Sequence, residues 1–327
     1  MTTRDSLRTV GQVVTWWVGR IEQNRTVSKS HRMTMGSLVR RHLVPRLGNL
    51  SVKNLTRAAV DDKLVWPLQQ DLSPHTVHKA LQGLQQALAL AEKQGRIAAN
   101  PLASVSWKDF WTGKLPPRPA GLHPIDTEGL LTTLTAAFEK SPVAGLLPLM
   151  MLAHGTRIGE TSQAQWRHIS LSERVWILPA ENTKTGQSLV VPLTDQVCAL
   201  LDRYRSLQHP ARQGSAWVFA MQGGKPLSEA MASALIREVS QRQWKSHDLR
   251  KLARTVWADI GIDYLVGELL LNHSLGKVPS TYIKSTVDQQ RREALERWHA
   301  WLDVRGFGAA HLLKSGESAF SENRACA

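Results

Sequence analysis

His247–Tyr282 reads HDLRKLARTVWADIGIDYLVGELLLNHSLGKVPSTY, and it sets four side chains suited to phosphate chemistry at three fixed intervals. His247 and Arg250 are three residues apart, so on a helix through LRKLARTVWADI they project from the same side of its first turn. His273 follows 23 residues after Arg250 and Tyr282 nine residues after that, in the polar segment VPSTYIKS. A single guanidinium cannot hold both non-bridging oxygens of a phosphodiester as charge builds on them, so the pattern calls for a second fork of donors. Arg157, in LAHGTRIGET, is the candidate. Gly155 is placed to stop the apolar helix PVAGLLPLMMLA and Thr156 to cap the next, which leaves Arg157 at a helix start, a position that favours anions.

From residue 8 to residue 302 the chain resembles the tyrosine recombinases of the phage integrase family. The resemblance rests on Arg157 followed by Gly159 and Glu160, the His-x-x-Arg box His247/Arg250, His273, and Tyr282 nine residues on. The family also places a Lys in a β-hairpin between the two Arg motifs. Here ENTKTGQSLVVPLT, with Lys184 before Thr185 and Gly186, is similar to that hairpin. One departure is Asn272, where the family usually has Gly before this His; it alters the turn without removing a catalytic group.

The resemblance implies that Tyr282 attacks phosphorus to give a 3′-phosphotyrosine while Arg157 and Arg250 clamp the non-bridging oxygens. His247 assists proton transfer, His273 hydrogen-bonds the phosphate, and Lys184 protonates the departing 5′-oxygen. Glu160 is expected to orient Arg157. No metal and no cofactor is required, because the guanidinium groups supply the positive charge and the phosphotyrosine stores the bond energy. Taken singly, each residue has a duller reading: Arg157 as a surface partner of Glu160, His247 with Asp248 as a helix cap, His273 as a core histidine, Lys184 as a solvated tip. Their joint order and spacing favour the catalytic reading. Of the other two tyrosines, Tyr204 lies among Asp202, Arg203 and Arg205 and reads as a mostly solvated helix face. Tyr264 lies next to Leu265 and Val266 and reads as packing.

Composition agrees with a polyanionic partner. The chain has 327 residues, with 41 Lys and Arg against 27 Asp and Glu, a formal charge of +14. Residues 20–57 hold nine basic side chains and the single acid Glu22, so Arg20, Arg25, Lys29, Arg32, Arg40, Arg41, Arg46 and Lys53 are the candidate DNA contacts. Two cysteines, Cys198 and Cys326, have neither metal-ligand spacing nor the makings of a disulfide framework, which suits a reducing cytoplasm. GLLPLMMLA is too short to span a bilayer, and no signal peptide opens the chain.

The expected fold is mainly α with a small β-hairpin or sheet, in the two-domain tyrosine-recombinase architecture. A helical core-type DNA-binding domain (1–110) precedes a Pro-rich linker (111–124), a mixed, mostly helical catalytic domain (125–302) and a C-terminal tail (303–327) that docks in trans or frays. In the first domain, Val10, Val13, Val14, Trp17, Val18 and Ile21 fall at helical spacing. A second helix through SHRMTMGSLVRRHL is expected to stop at Pro45, and a third, from Thr56, to weaken at Pro67. Ser73 and Pro74 open a fourth, with a stripe of Val77, Leu81, Leu84 and Leu88. Trp17, Trp166, Trp176 and Trp257 read as core. Few residues precede the first helix, so the accessory arm-binding domain of several family integrases is expected to be absent.

The function these expectations define is a site-specific recombinase of the integrase type. It acts as a homotetramer on double-stranded DNA carrying specific sites, integrating or excising a mobile element, with an accessory DNA-bending or directionality protein as a further partner. Chromosome-dimer resolution and DNA inversion use the same chemistry, and type IB topoisomerases share the catalytic groups in a larger architecture. A DNA-binding regulator that keeps the fold without cleavage predicts a damaged residue set, whereas all six positions are filled here.

Overall fold

A computed structural model describes residues 6–114, 119–208, 214–273 and 284–312. The chain divides into two compact units, Met1–Arg118 and Pro119–Ala327. Among the described residues the architecture is mostly helical with one small antiparallel sheet.

The first unit contains helices α1 (Val10–Gln23), α2 (Lys29–Leu38), α3 (Val44–Leu47), α4 (Arg57–Val60), α5 (Trp66–Asp71) and α6 (Pro74–Lys93). Thr9 starts α1 with a reciprocal cap: its hydroxyl accepts from the Gln12 N–H at 3.2 Å while the Gln12 side chain accepts from the Thr9 N–H at 3.1 Å. Val10, Val13, Val14, Trp17 and Val18 then bury one face of α1 against the Val77, Leu81, Leu84 and Leu88 stripe of α6 in a single core.

Pro45 does not stop its helix as expected, and the weakening expected at Pro67 takes the form of a wide turn just before it. Between α2 and α3 the chain passes through a π turn, Val39–Leu43, and between α4 and α5 through another, Asp61–Val65. Val44 N–H donates to the Val39 carbonyl and Trp66 N–H to the Asp61 carbonyl, each across five residues. Each wide turn directly precedes the turn that holds Pro45 or Pro67, and widening it relieves the clash between a proline ring and the carbonyl four residues back. At Pro45 that carbonyl belongs to Arg41, and Arg46 Nη1 lies 3.4 Å from it, in place of the missing N–H.

The second unit contains α7 (Thr127–Lys140), α8 (Pro142–His154), α9 (Ile158–Ser162), strands β1 (Ile169–Ser170), β2 (Val175–Leu178) and β3 (Leu189–Pro192), then α10 (Asp195–Leu207), α11 (Glu229–Val239), α12 (Ser246–Asp259), α13 (Tyr264–Leu270), α14 (Lys284–Asp303) and α15 (Gly308–His311). Helix α8 is buried on every side from Val143 to His154, and α7, α10, α11, α12 and α14 all pack on it. Gly145 allows the crossing with α7, because a Cβ there would fall 2.2 Å from the Phe138 backbone nitrogen. The sheet runs β1-β2-β3, all antiparallel, with Trp176 opposite Val191 and Leu178 opposite Leu189. Those four side chains face the core, while Ile177 and Val190 point outward.

Residues after 302 do not begin a tail. Phe307 and Ala310 are buried in the core of the second unit, and Arg203 Nη1 donates to the carbonyls of Ala309 and Ala310 at 3.1 and 2.9 Å. Residues 313–327, and with them Cys326, lie outside the described residues; Cys198 is a half-buried free thiol. No helix among the described residues is long and apolar enough to cross a membrane.

Candidate active site

The end of α8 decides where Arg157 stands. A helix leaves its last carbonyls without partners inside the helix, and here distant residues meet them. Trp298 Nε1 donates to Leu152 O at 3.3 Å and His299 Nε2 to Ala153 O at 2.9 Å, both from α14. Gly155 then turns the chain at φ 64°, a left-handed conformation glycine adopts without strain, and its carbonyl accepts from Arg250 Nη1 at 2.7 Å. A Cβ at Gly155 would also press on Trp257 and Leu271 at 2.9 Å.

Arg157 occupies the N-cap of α9, the position expected for Thr156. The Thr156 hydroxyl is instead 2.7 Å from that of Thr161, both buried. Glu160 holds Arg157 twice: Oε2 accepts the Arg157 N–H at 2.8 Å and Oε1 accepts from Nη1 at 2.7 Å. Glu160 is 3% exposed, so its carboxylate acts as a buried anchor for the guanidinium.

His247 and Arg250 lie in the first turns of α12, whose start is held by Lys245 N–H donating to Asp248 Oδ2 at 3.0 Å. Arg250 is 3% exposed. Besides Gly155 it donates through Nη2 to Leu271 O at 2.7 Å and to His273 Nε2 at 2.8 Å. One guanidinium thus ties the Arg157 turn, α12 and the His273 turn together. Burial, and next the positive charge of Arg157, push its pKa down to about 10, with Glu160 and Glu268 opposing, so it stays protonated at neutral pH. Burial, with the charges of Lys251, Arg250 and Arg157, lowers the His247 pKa below the ordinary histidine value against the pull of Asp248, which keeps the ring neutral and able to take a proton.

His273 Nδ1 is 2.6 Å from Glu268 Oε2, and Glu268 Oε1 accepts from Arg254 Nε at 2.8 Å. Burial works to raise the Glu268 carboxyl, but the hydrogen bonds and charges of His273 and Arg254 outweigh it and hold the pKa low. Sequence reasoning missed both Glu268 and Arg254. Glu268 stands five residues before His273, a spacing with no helical meaning, and only the packing of α13 on α12 brings the three together.

Lys184 lies exposed in the turn between β2 and β3. Asn272 Nδ2 donates to Gln187 O in the same loop at 3.2 Å, which brings the Lys184 loop to the His273 turn. Tyr282 lies outside the described residues. The other two tyrosines reverse their expected environments. Tyr204 is fully buried with its hydroxyl donating to Val218 O at 2.7 Å, and Tyr264 is 70% exposed under the Arg254 guanidinium, 4.9 Å from its ring centre. Trp17, Trp176 and Trp257 are core, and Trp166 packs half-buried against it.

In the first unit Arg20, Arg25, Lys29, Arg40, Arg41 and Lys53 are exposed, while Arg32 and Arg46 are half-buried. Arg40 Nη1 is paired with Glu22 Oε1 at 2.8 Å. No group of three or more His, Cys, Asp or Glu that could hold a metal ion occurs among the described residues.

A helical unit with this sheet is the fold of solved integrases. The chain superposes with a TM-score of 0.67 and 18% identity on the Tn1549 transposon integrase in complex with circular intermediate DNA, covering 82% of this chain and 92% of that one. It superposes at 0.64 and 16% on a lambda integrase tetramer bound to a Holliday junction, covering 84% and 81%. The phage integrase family pattern matches residues 127–289. Prophage integrase IntA of Escherichia coli (strain K12) is 25% identical over 306 residues, 91% of this chain and 71% of that protein. Tyrosine recombinase XerD of Xanthomonas axonopodis pv. citri (strain 306) is 25% identical over 265 residues, 75% of this chain and 82% of that protein. The fold and the matches define a tyrosine recombinase, an enzyme of DNA strand cleavage and rejoining. The chain belongs to the phage integrase family.

Proposed function

We propose that this recombinase cuts each strand by attack of the Tyr282 hydroxyl on phosphorus, forming a P–O(Tyr) bond and breaking the P–O5′ bond. The neutral His247 ring takes the tyrosyl proton, Arg157 and Arg250 bind the non-bridging oxygens, His273 adds a hydrogen bond to the phosphate, and Lys184 gives a proton to the leaving O5′. The 5′-hydroxyl of a partner strand then displaces the tyrosine and restores the diester, so the bond count is unchanged and no nucleotide energy is consumed. The observation that carries this reading is the position of Arg250, one buried guanidinium bonded both to the turn before Arg157 and to His273.

The natural reaction is integration and excision of a mobile element in the cytoplasm. A homotetramer holds two duplex sites, and an accessory DNA-bending or directionality protein selects the direction. The relatives named as prophage integrases and the solved tetramer on a Holliday junction support this choice. The first unit supplies much of the backbone affinity through Arg20, Arg25, Lys29, Arg32, Arg41 and Lys53.

The test is a nicked suicide substrate carrying the site, incubated in EDTA. Wild type is expected to accumulate a covalent protein–DNA adduct, and Tyr282→Phe to bind the DNA normally and form none. An adduct that persists in Tyr282→Phe, or that wild type loses with the metal, overturns the assignment.

A further inference from the structure

The loop that carries Lys184 is closed by two donors on one carbonyl. Inside the loop, the buried Thr183 hydroxyl lies 2.8 Å from Gln187 O and 3.0 Å from Ala180 O. From outside, Asn272 Nδ2 donates to the same Gln187 O at 3.2 Å. The assignment of the amide is unambiguous because a carbonyl only accepts. Asn272 stands between Leu271, whose carbonyl accepts from Arg250, and His273, whose ring accepts from Arg250. The hydrogen bond therefore joins the loop bearing Lys184 to the cluster around Arg250, across 85 residues of sequence.

The backbone at this position adds a second observation. Asn272 has φ 52°, in the left-handed region where glycine is the unstrained residue and asparagine is tolerated better than other L-residues. Glycine would satisfy the turn and make no bond to the loop. Asparagine satisfies the turn and supplies the donor.

We infer that Asn272 is a positioning residue: it sets where the Lys184 loop stands relative to His273 and Arg250, and so how well the ammonium reaches the departing 5′-oxygen. The inference rests on the proposed role of Lys184 as the acid that protonates O5′ while the P–O5′ bond breaks. Its effect must then be specific to leaving-group protonation. A leaving sulfur departs as a thiolate and takes no proton in the step, so a 5′-bridging phosphorothiolate bypasses Lys184 and whatever aims it.

The experiment compares single-turnover cleavage of oxygen- and sulfur-bridged site DNA by wild type, Lys184→Ala, Asn272→Gly, Asn272→Asp and the double variant Lys184→Ala/Asn272→Gly. Asn272→Gly keeps the left-handed turn, and its cleavage of the oxygen substrate should fall roughly 3- to 10-fold, the range of one lost neutral hydrogen bond. Asn272→Asp places a carboxylate against Gln187 O and should fall at least as far. Both should cleave the sulfur substrate within about twofold of wild type, a result that also reports intact folding. In the Lys184→Ala background, Asn272→Gly should add no further loss on oxygen, because two changes acting through one group do not add. If sulfur fails to rescue Lys184→Ala, the role of Lys184 falls and the inference with it. If sulfur rescues Lys184→Ala but Asn272→Gly is unchanged on oxygen, slowed equally on both substrates, or additive with Lys184→Ala, only the inference falls.

Discussion

Arg250 Nη2 and His273 Nε2 are 2.8 Å apart. A guanidinium has no lone pair to offer, so this imidazole nitrogen is the acceptor and the ring proton sits on Nδ1, directed at Glu268 Oε2 at 2.6 Å. Arg254 Nε completes the row on the other carboxylate oxygen at 2.8 Å. The carboxylate therefore selects the tautomer and the orientation of the ring in the free protein, and it stabilises the imidazolium that His273 must become for Nε2 to donate to the phosphate in the proposed reaction.

Glu268→Gln should disturb that selection with little change in shape. An amide has one accepting and one donating end, so whichever way it lies, either His273 Nδ1–H or Arg254 Nε–H loses its acceptor. Covalent adduct formation is expected to slow by roughly tenfold, a loss of about 1.4 kcal/mol from a charge-assisted bond, with DNA affinity nearly unchanged. Nitrogen-15 spectra of the free protein should show His273 as the Nδ1–H tautomer in wild type and a mixture in the variant. A variant that cleaves at the wild-type rate would exclude an orienting role for Glu268.

Arg40 and Arg41 are adjacent but not equivalent. Arg40 is paired with Glu22 at 2.8 Å, whereas Arg41 is exposed. The prediction is that Arg41→Gln weakens binding to any DNA sequence and lowers the slope of log affinity against log salt by about 0.9, the value for one phosphate contact. Arg40→Gln should do less, and Glu22→Gln should tighten binding by releasing Arg40. Fluorescence anisotropy across a salt series reads all three. Equal effects for the two arginines, or an unchanged slope in Arg41→Gln, would contradict this division.

His154 and His299 make the second unit sensitive to acid. Burial lowers the pKa of His154 to about 4, against the Met150 hydrogen bond, and burial with the charge of His154 lowers that of His299 to about 3. Both folded values lie below the ordinary 6.5, so between them and 6.5 the unfolded chain binds more protons. The associated stability is fully present above pH 6.5 and is lost as the pH falls toward 4, on the order of 3 kcal/mol for His154 alone. Urea denaturation at pH 7.5, 6 and 5 should show this decline. His154→Leu should reduce it by roughly half, since His299 stays buried. Stability that stays level from pH 7.5 to 5 in wild type is the contrary result.

Periodicity marked the helices whose buried faces are continuous in sequence. The spacing of Val10, Val13, Val14 and Trp17 anticipates α1, and that of Val77, Leu81, Leu84 and Leu88 anticipates α6. The apolar run ending at Gly155 likewise anticipates α8 and its left-handed stop. Each of these signals lies within the element it describes. Pro45 misled for the same reason. At Pro45 the local rule stops a helix, yet a π turn before it carries the helix on, and at Pro67, where the rule only weakens one, a π turn precedes the proline in the same way. The tyrosines misled because burial was judged from sequence neighbours. The charged neighbours of Tyr204 lie on other sides of α10, and its ring reaches the Val218 carbonyl, while Tyr264 beside Leu265 and Val266 faces outward at the start of α13.

The order of Arg157, Lys184, His247, Arg250, His273 and Tyr282 was written in the sequence by itself, together with the family they indicate and the hairpin that carries Lys184. Only the tertiary structure decided how the described members of that set are held. Arg250 finds Gly155 O from 95 residues away and Leu271 O from 21, and Glu160 holds Arg157 from a buried position. Glu268 sets the His273 tautomer, and Asn272 reaches the Lys184 loop. Helix period and turn propensity are set by residues adjacent along the chain, so they can be read from it. A buried donor takes the acceptor that packing brings within 3 Å or so, and that acceptor has no fixed place in the sequence.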